Sequence, residues 1–256
     1  MTAMSFDRAA DFYDATRSFP PGIQARLTAM LAAEVTPRGR CLEIGVGTGR
    51  IALPLVAAGV PLAGVDIASK MLRRLVENAD GNEAPLLCVA DVTALPFGSH
   101  RFGAVLACHV LHLIDDWRAA VDEAVRVLHR GGVLLVDFGG APLAPWSTVA
   151  DAVMKDRGIV RIRPGMSDPG PVADHLSGRA VARALPAFTM TVERTLAQDL
   201  SDWEGQIHSW TWSQDPGAIA EACAGMRRWA SDNGWPLERR VALERTIQWW
   251  AFDLVG

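Results

Sequence analysis

The sequence predicts an α/β fold, a mostly parallel sheet covered by helices on both faces, with additions before and after it. Three observations carry this. Between residues 40 and 138, short apolar runs alternate with segments of helical spacing, and strands apolar on both faces with helices between them are the pattern of a covered parallel sheet. The first strand runs into Gly45-Val46-Gly47-Thr48-Gly49 and then a helix, a spacing that lets the backbone turn sharply and approach a ligand. Half of the 256 residues are apolar, enough for one sizeable core.

The elements follow in order. A helix around Ile23 to Ala33 precedes the sheet. Arg40 to Ile44 reads as the first strand and Thr48 to Ala58 as a helix, whose Pro54 lies past the first turn and predicts a kink. Pro61 to Asp66 is the second strand; Ser69 to Asn78 is a helix with Met71, Leu72, Leu75 and Val76 on one side. Ala84 to Ala90 and Phe102 to Val110 are the next strands. Trp117, Val121, Ala124, Val125 and Leu128 keep helical spacing between Asp115 and His129, and Gly131-Gly132 is expected to end that helix before the strand Val133 to Phe138.

Beyond Gly140 the regularity breaks. Residues 140 to 187 mix short helical patches with Pro164-Gly165-Met166-Ser167-Asp168-Pro169-Gly170-Pro171, which reads as a loop. Phe188 to Leu196 alternates as a strand, Ser201 to Trp212 and Ala218 to Ser231 read as helices, and Val241 to Leu254 as a closing strand. Seven of the nine tryptophans follow residue 200, which makes that half a source of an aromatic acceptor pocket or simply of core.

Composition excludes several classes. With 25 basic and 29 acidic residues the net charge is −4. The densest basic groups, Arg161-Ile162-Arg163 and Arg239-Arg240, form no stripe that could track a phosphate backbone, so no nucleic acid partner is expected. Phe6-Asp7-Arg8 and Asp11-Phe12-Tyr13-Asp14 interrupt any secretory signal, and no run is long and charge-free enough to span a bilayer. A soluble, cytoplasmic protein without a membrane partner is the expectation. Cysteines at 41, 88, 108 and 223 share no metal-type spacing, so neither a disulfide framework nor a metal site is expected.

In an open parallel sheet, ligands lie across the carboxyl ends of the strands. There Asp66 ends the second strand, 21 residues after Gly45, where a carboxylate can accept from a ribose diol. Asp91 follows the third strand and is placed to meet a base edge. Read alone, Asp66 serves equally as a cap for the helix at Ser69, and Asp91 as a turn former. A dinucleotide fingerprint asks for glycine at the sixth position of its loop, where this chain has Arg50. That weakens an NAD(P)-dependent oxidoreductase as the alternative.

Taken together, Glu43-x-Gly45-x-Gly47-x-Gly49, Asp66, Asp91-Val92, Cys108-His109-Val110-Leu111-His112 and the Arg130-Gly131-Gly132 turn resemble the class I S-adenosylmethionine-dependent methyltransferases, most strongly those acting on small molecules. The resemblance covers about residues 40 to 138. It implies a Rossmann-like, mostly parallel seven-stranded sheet flanked by helices, in a single methyltransferase domain over 1–256. An N-terminal lid would take about 1–36 and cap elements about 140–187 and 200–240.

The resemblance also implies roles. Gly45, Gly47, Thr48 and Gly49 would pack under the methionine part of the cofactor, with Glu43 orienting that loop. Asp66 would hold the ribose hydroxyls, Ile67 and Met71 would flank the adenine, and Asp91 with Val92 would meet its amino edge and ring. Cys108 would offer its carbonyl to the ammonium, with His109 beside it. Tyr13-Asp14-x-x-Arg17 resembles a segment that closes over the cofactor, Arg17 being suited to its carboxylate.

For a hydroxyl or amine acceptor a base must remove a proton. His112, just past the fourth strand, and His208, in a segment resembling the cap helix of these enzymes, are the candidates. The expected activity is methyl transfer to an O, N or C atom of a small-molecule acceptor, with S-adenosylhomocysteine as product. A non-catalytic S-adenosylmethionine-binding regulator or partner subunit is the reading from a different class. Acceptor identity and oligomeric state are not written in the sequence.

Overall fold

The computed structural model describes residues 5–10, 12–160 and 164–256. The basic pair Arg161 and Arg163 therefore lies outside the described residues. The chain divides into two compact units, the first formed by Met1–Gly139, Pro164–Phe188 and Ile247–Gly256, the second by Gly140–Arg163 and Thr189–Thr246. Residues 164–187, expected among the cap elements, thus belong to the first unit.

The first unit is built on a seven-stranded sheet. Its strands are β1 (Cys41–Ile44), β2 (Leu62–Asp66), β3 (Leu86–Val89), β4 (Phe102–Cys108), β5 (Leu128–Asp137), β6 (Ala180–Ala184) and β9 (Trp249–Leu254), in the order β3-β2-β1-β4-β5-β9-β6. The pairs β1–β2, β2–β3, β1–β4 and β4–β5 are parallel. β9 runs antiparallel to both β5 and β6. Every residue of β1 and β4 is buried, as their near-continuous apolar sequences require of central parallel strands. The order reverses between β1 and β4, so the loops leaving their carboxyl ends diverge and open a crevice.

The flanking helices are α1 (Tyr13–Arg17), α2 (Pro21–Val35), α3 (Ala52–Ala57), α4 (Ser69–Asn78), α5 (Trp117–Val127) and α7 (Pro169–His175). α4 buries Met71, Leu72 and Leu75. α5 buries Trp117, Ala120, Val121, Ala124 and Val127 into a core shared with Val105, Leu134 and Val136 of the sheet. None of the helices among the described residues is long and apolar enough to cross a membrane.

Several expectations need correction. Regular helix begins at Ala52 rather than Thr48, so Pro54 stands in the first turn, where its missing N–H has no intrahelical role, and the predicted kink has no cause. α5 ends at Val127, before the glycines, because Leu128 is already extended and pairs with Phe102. Gly131-Gly132 instead fall in the irregularity where the β4–β5 register jumps from Phe102↔Leu128 to Ala104↔Val133. The Pro/Gly-rich loop contains α7: Asp168 caps Gly170 N–H at 2.7 Å and Pro169 takes the first helical position. β6 lies within a stretch that showed no strand signal. The single strand expected over Val241 to Leu254 is two, β8 (Val241–Ile247) and β9, in different sheets. They divide at Gln248, whose amide donates to the carbonyls of Leu185 and Trp249.

The second unit holds α6 (Ser147–Lys155), β7 (Phe188–Arg194), α8 (Leu196–Glu204), α9 (Pro216–Asp232) and β8, with β7 and β8 forming a two-stranded sheet. Its core contains Trp146 and Trp203, with Trp210, Trp229 and Trp235 packed against it. The late tryptophans at 203, 210, 229 and 235 are accordingly core of this unit, not a free aromatic wall. The helix expected over Ser201 to Trp212 stops at Glu204, and His208 precedes a separate 3-10 turn, Ser209–Thr211.

Candidate active site

The glycine loop leaves β1 with Gly45, Gly47 and Gly49 all in the left-handed region, at φ of 65°, 56° and 88°. Non-glycine residues are strained there. A Cβ on Gly45 would lie 2.5 Å from Val110 Cγ2, and one on Gly49 2.8 Å from Leu53 Cγ. Gly47 is looser, with Met71 Cε at 3.5 Å. The loop encloses a cavity of about 20 Å³, lined by Tyr13, Glu43, Gly45, Val46, Gly47, Thr48, Arg50, Ile51 and Cys108. That is room for about one water molecule.

Glu43 stands in the middle strand between Gly64 of β2 and Leu106 of β4. It is buried, and its Oε2 has no hydrogen-bond partner among the described residues. Burial pushes its carboxyl up to about 8, against the pull of the Arg50 guanidinium and with some help from the Asp66 charge. Asp66 accepts from Gly47 N–H at 2.9 Å through Oδ2 and from Ala68 N–H at 2.8 Å through Oδ1. Burial raises its carboxyl as well, opposed by those N–H donors. The carboxylate expected to bind ribose thus also braces the glycine loop.

Arg50 is the residue whose role the sequence did not disclose. One guanidinium nitrogen donates to the Arg17 carbonyl at 2.8 Å; the other lies 3.2 Å from Cys108 Sγ and 3.4 Å from His109 Nδ1. The guanidinium also covers the Phe19 ring at 4.6 Å. His109 Nε2 sits 3.1 Å from Asp137 Oδ2, and Gly139 N–H binds the other Asp137 oxygen at 2.8 Å. Burial works to raise the Asp137 carboxyl, but its bond with His109 and that neighbour's charge, Gly139 N–H and Arg50 hold it below its ordinary value. Gly139 is required here, since a Cβ would approach His109 Cδ2 to 3.1 Å at a φ of 74°. Cys108, His109 and Asp137 bring their ligand atoms within 4.8 Å of one another, a set able to hold a metal. The Arg50 guanidinium already supplies a positive charge to the thiol and imidazole.

The N-terminal segment closes one side. Asp14 accepts from Thr48 Oγ1 and, at 2.9 Å, from Asn78 Nδ2, with Arg74 at 3.6 Å. Asn78 also donates to the Thr48 carbonyl at 3.1 Å, so the Thr48 hydroxyl serves the N-terminal latch. Phe6 and Tyr13 pack on a small cluster of Ala10, Ala68 and Met71. Burial raises the Tyr13 phenol, countered by Arg50 and more weakly by Arg17.

The structure therefore brings Tyr13, Glu43, Gly45, Gly47, Thr48 and Cys108 to one cavity, with Gly49, Asp66, Met71 and His109 bordering it. It does not bring Asp91 or Val92 there. Asp91 accepts from Thr93 N–H and hydroxyl at 2.9 and 2.8 Å in an exposed turn, and Val92 packs in the main core. Ile67 stands exposed beside Asp66. His112 lies in the turn Leu111–Leu113, where its carbonyl accepts from Gly165 N–H at 3.1 Å. In the second unit, His208 Nε2 is 3.8 Å from Asp202, which also pairs with Arg194. Neither His112 nor His208 lines the cavity.

Residues 42–136 match the family described as a methyltransferase domain. Similar proteins include a phosphatidylethanolamine N-methyltransferase of Cereibacter sphaeroides, 33% identical over 129 residues, or 48% of this chain and 63% of that protein. A demethylmenaquinone methyltransferase of Renibacterium salmoninarum is 30% identical over 154 residues, 57% of this chain and 62% of that protein. The chain thus spans a little under two thirds of the length of these curated relatives. The solved structure of the YcgJ protein from Bacillus subtilis superposes with a TM-score of 0.59 over 92% of this chain and 100% of that one, at 20% identity, which shows a shared fold. Both faces of the cavity, the glycine loop after β1 and Cys108 at the end of β4, lie within the matched residues 42–136.

Proposed function

We propose that this chain transfers a methyl group from S-adenosylmethionine to an O, N or C atom of a small-molecule acceptor. The observation that carries the reading is the glycine cavity, whose wall holds the buried Glu43 with its unpartnered Oε2. Glu43 Oε2 has no partner among the described residues, Asp66 stands beside it at the glycine loop, and two Arg50 nitrogens are turned to Arg17, Cys108 and His109. Such a set fits a ligand bearing an ammonium and a diol. It is poorly suited to a pyrophosphate, which asks for donors, and this counts against the dinucleotide alternative.

In this reading Asp66 holds the ribose hydroxyls while keeping Gly47 in place. Ile67 and Met71 flank the base, Asp91 and Val92 meet its edge, and the Cys108 carbonyl and Glu43 face the ammonium. Tyr13 and Arg17, on the latched N-terminal segment, cover the site. When bound, S-adenosylmethionine supplies a methyl group on a sulfonium, already electrophilic, so the chain's task is to position the acceptor and exclude water. For a hydroxyl or amine acceptor, His112 or His208 accepts the proton at a ring nitrogen. Four cysteines without a disulfide support a reducing compartment, and we place the protein in the cytoplasm.

Calorimetric titration with S-adenosylmethionine, S-adenosylhomocysteine and NADH tests the cofactor. Binding of the first two and not the third is expected; tight NADH binding alone overturns the reading. Transfer of labelled methyl to a compound in a cell extract separates an enzyme from a binding regulator. His112→Ala and His208→Ala, assayed separately, identify the base as the variant that loses turnover at constant cofactor affinity. Parental rates in both would mean that positioning alone suffices.

A further inference from the structure

Glu43 is the one acidic side chain in the described structure that is buried at the cavity wall with an unpartnered oxygen. Its surroundings are defined on every side. Arg50 stands on the turn leading to α3, Asp66 at the end of β2, Cys41 on its own strand, Cys108 at the end of β4, and Tyr13 on α1. No ion pair within 4.0 Å joins Glu43 to Arg50 among the described residues, because the guanidinium is turned to Arg17, Cys108 and His109. A lone buried carboxylate of this kind is costly, so the group is stable there as the neutral acid.

We propose that Glu43 reads the charge of the ligand: it carries a proton until an ammonium-bearing ligand places an N–H donor against Oε2, and then releases that proton to solvent. The inference rests on the S-adenosylmethionine reading of the cavity. The proton leaves the carboxyl oxygen, the ligand ammonium keeps its own, and the buried pair is neutral overall. A ligand with the same nucleoside but no ammonium gains nothing from Glu43, so the residue selects for the amino-acid end of the cofactor. The upward displacement of its carboxyl to about 8 places the exchange within the physiological range.

Titration calorimetry at pH 6.5, in buffers of different ionisation enthalpy, reads the protons released on binding. With S-adenosylhomocysteine the parent is expected to release close to one proton, and its affinity should rise about tenfold per pH unit below pH 8. 5′-Methylthioadenosine, which lacks the ammonium, should release none, and Glu43→Gln should release none with either probe. Binding of S-adenosylhomocysteine without proton release in the parent, or undiminished release in Glu43→Gln, overturns the proposal. Failure of the parent to bind S-adenosylhomocysteine at any pH overturns instead the reading on which it rests. If Glu43→Gln does not fold, infrared difference spectra of the parent serve: loss of a protonated-carboxyl band on adding S-adenosylhomocysteine is expected, and an unchanged band refutes the exchange.

Discussion

At the residue scale the cavity rests on side chains that each do two things. Asp66 both braces Gly47 and faces the crevice, so Asp66→Ala removes a charged acceptor and loosens the loop. A loss of about 1–3 kcal/mol in S-adenosylhomocysteine binding is expected, measured by calorimetry; unchanged affinity would show that the ribose is held elsewhere. The glycines are not equivalent. All three adopt positive φ, which costs an L-residue about 1–2 kcal/mol, but only Gly45 and Gly49 would also drive a Cβ into neighbours under 3.0 Å away. Urea midpoints should therefore fall further for Gly45→Ala and Gly49→Ala than for Gly47→Ala, and three equal midpoints would contradict the packing described. Asp66 and the glycines were legible in the sequence because strand end, spacing and residue type are local. Arg50 was legible only as a departure from a dinucleotide pattern. Its partners His109 and Cys108 lie 59 and 58 residues away, and nothing local announces them.

At the element scale, α1 is too short to be stable alone and is held by Asp14, whose carboxylate meets Thr48, Asn78 and Arg74. Asp14→Ala should leave the sheet intact and release this segment. Amide exchange over 13–17 should quicken about tenfold, equivalent to roughly 1.4 kcal/mol, with strand amides unaffected. No change in exchange would mean that the Phe6 and Tyr13 packing on Met71 holds the segment without the latch. The elements that the sequence misplaced share a cause. Pro169-Gly170-Pro171 looks like loop chemistry until Asp168 caps it, and Val241 to Leu254 looks like one strand until Gln248 sends its two halves to different sheets. Composition of a short window does not contain those partners. The edge strand β6 is pinned by Arg183, which pairs with Glu34 of α2 and Asp253 of β9, contacts 149 and 70 residues apart in the chain.

At the scale of the whole molecule, the buried Glu43 links stability to pH. Its folded-state value of about 8 lies above the ordinary 4.5, so between these limits the folded chain holds a proton that the unfolded chain has lost. Stability therefore falls as pH rises through this window, by up to about 1.4 kcal/mol per unit. Glu43→Gln should abolish that part of the slope, as read by urea midpoints from pH 5 to pH 8; the same slope in parent and variant would place the linkage on another group. The sequence by itself determined the alternation of strands and helices from residue 40 to 138, the glycine turn after the first strand and the acid at the end of the second. Each depends on periodicity or spacing within a few residues, and burial on both faces writes itself into a strand as an unbroken apolar run. Only the tertiary structure decided the rest. It made Trp203, Trp210, Trp229 and Trp235 core of a second unit, placed β9 between β5 and β6, and joined Arg50, His109 and Asp137 into one network. Those outcomes depend on which distant surfaces meet, and pairing and burial between segments far apart leave no local trace in either one.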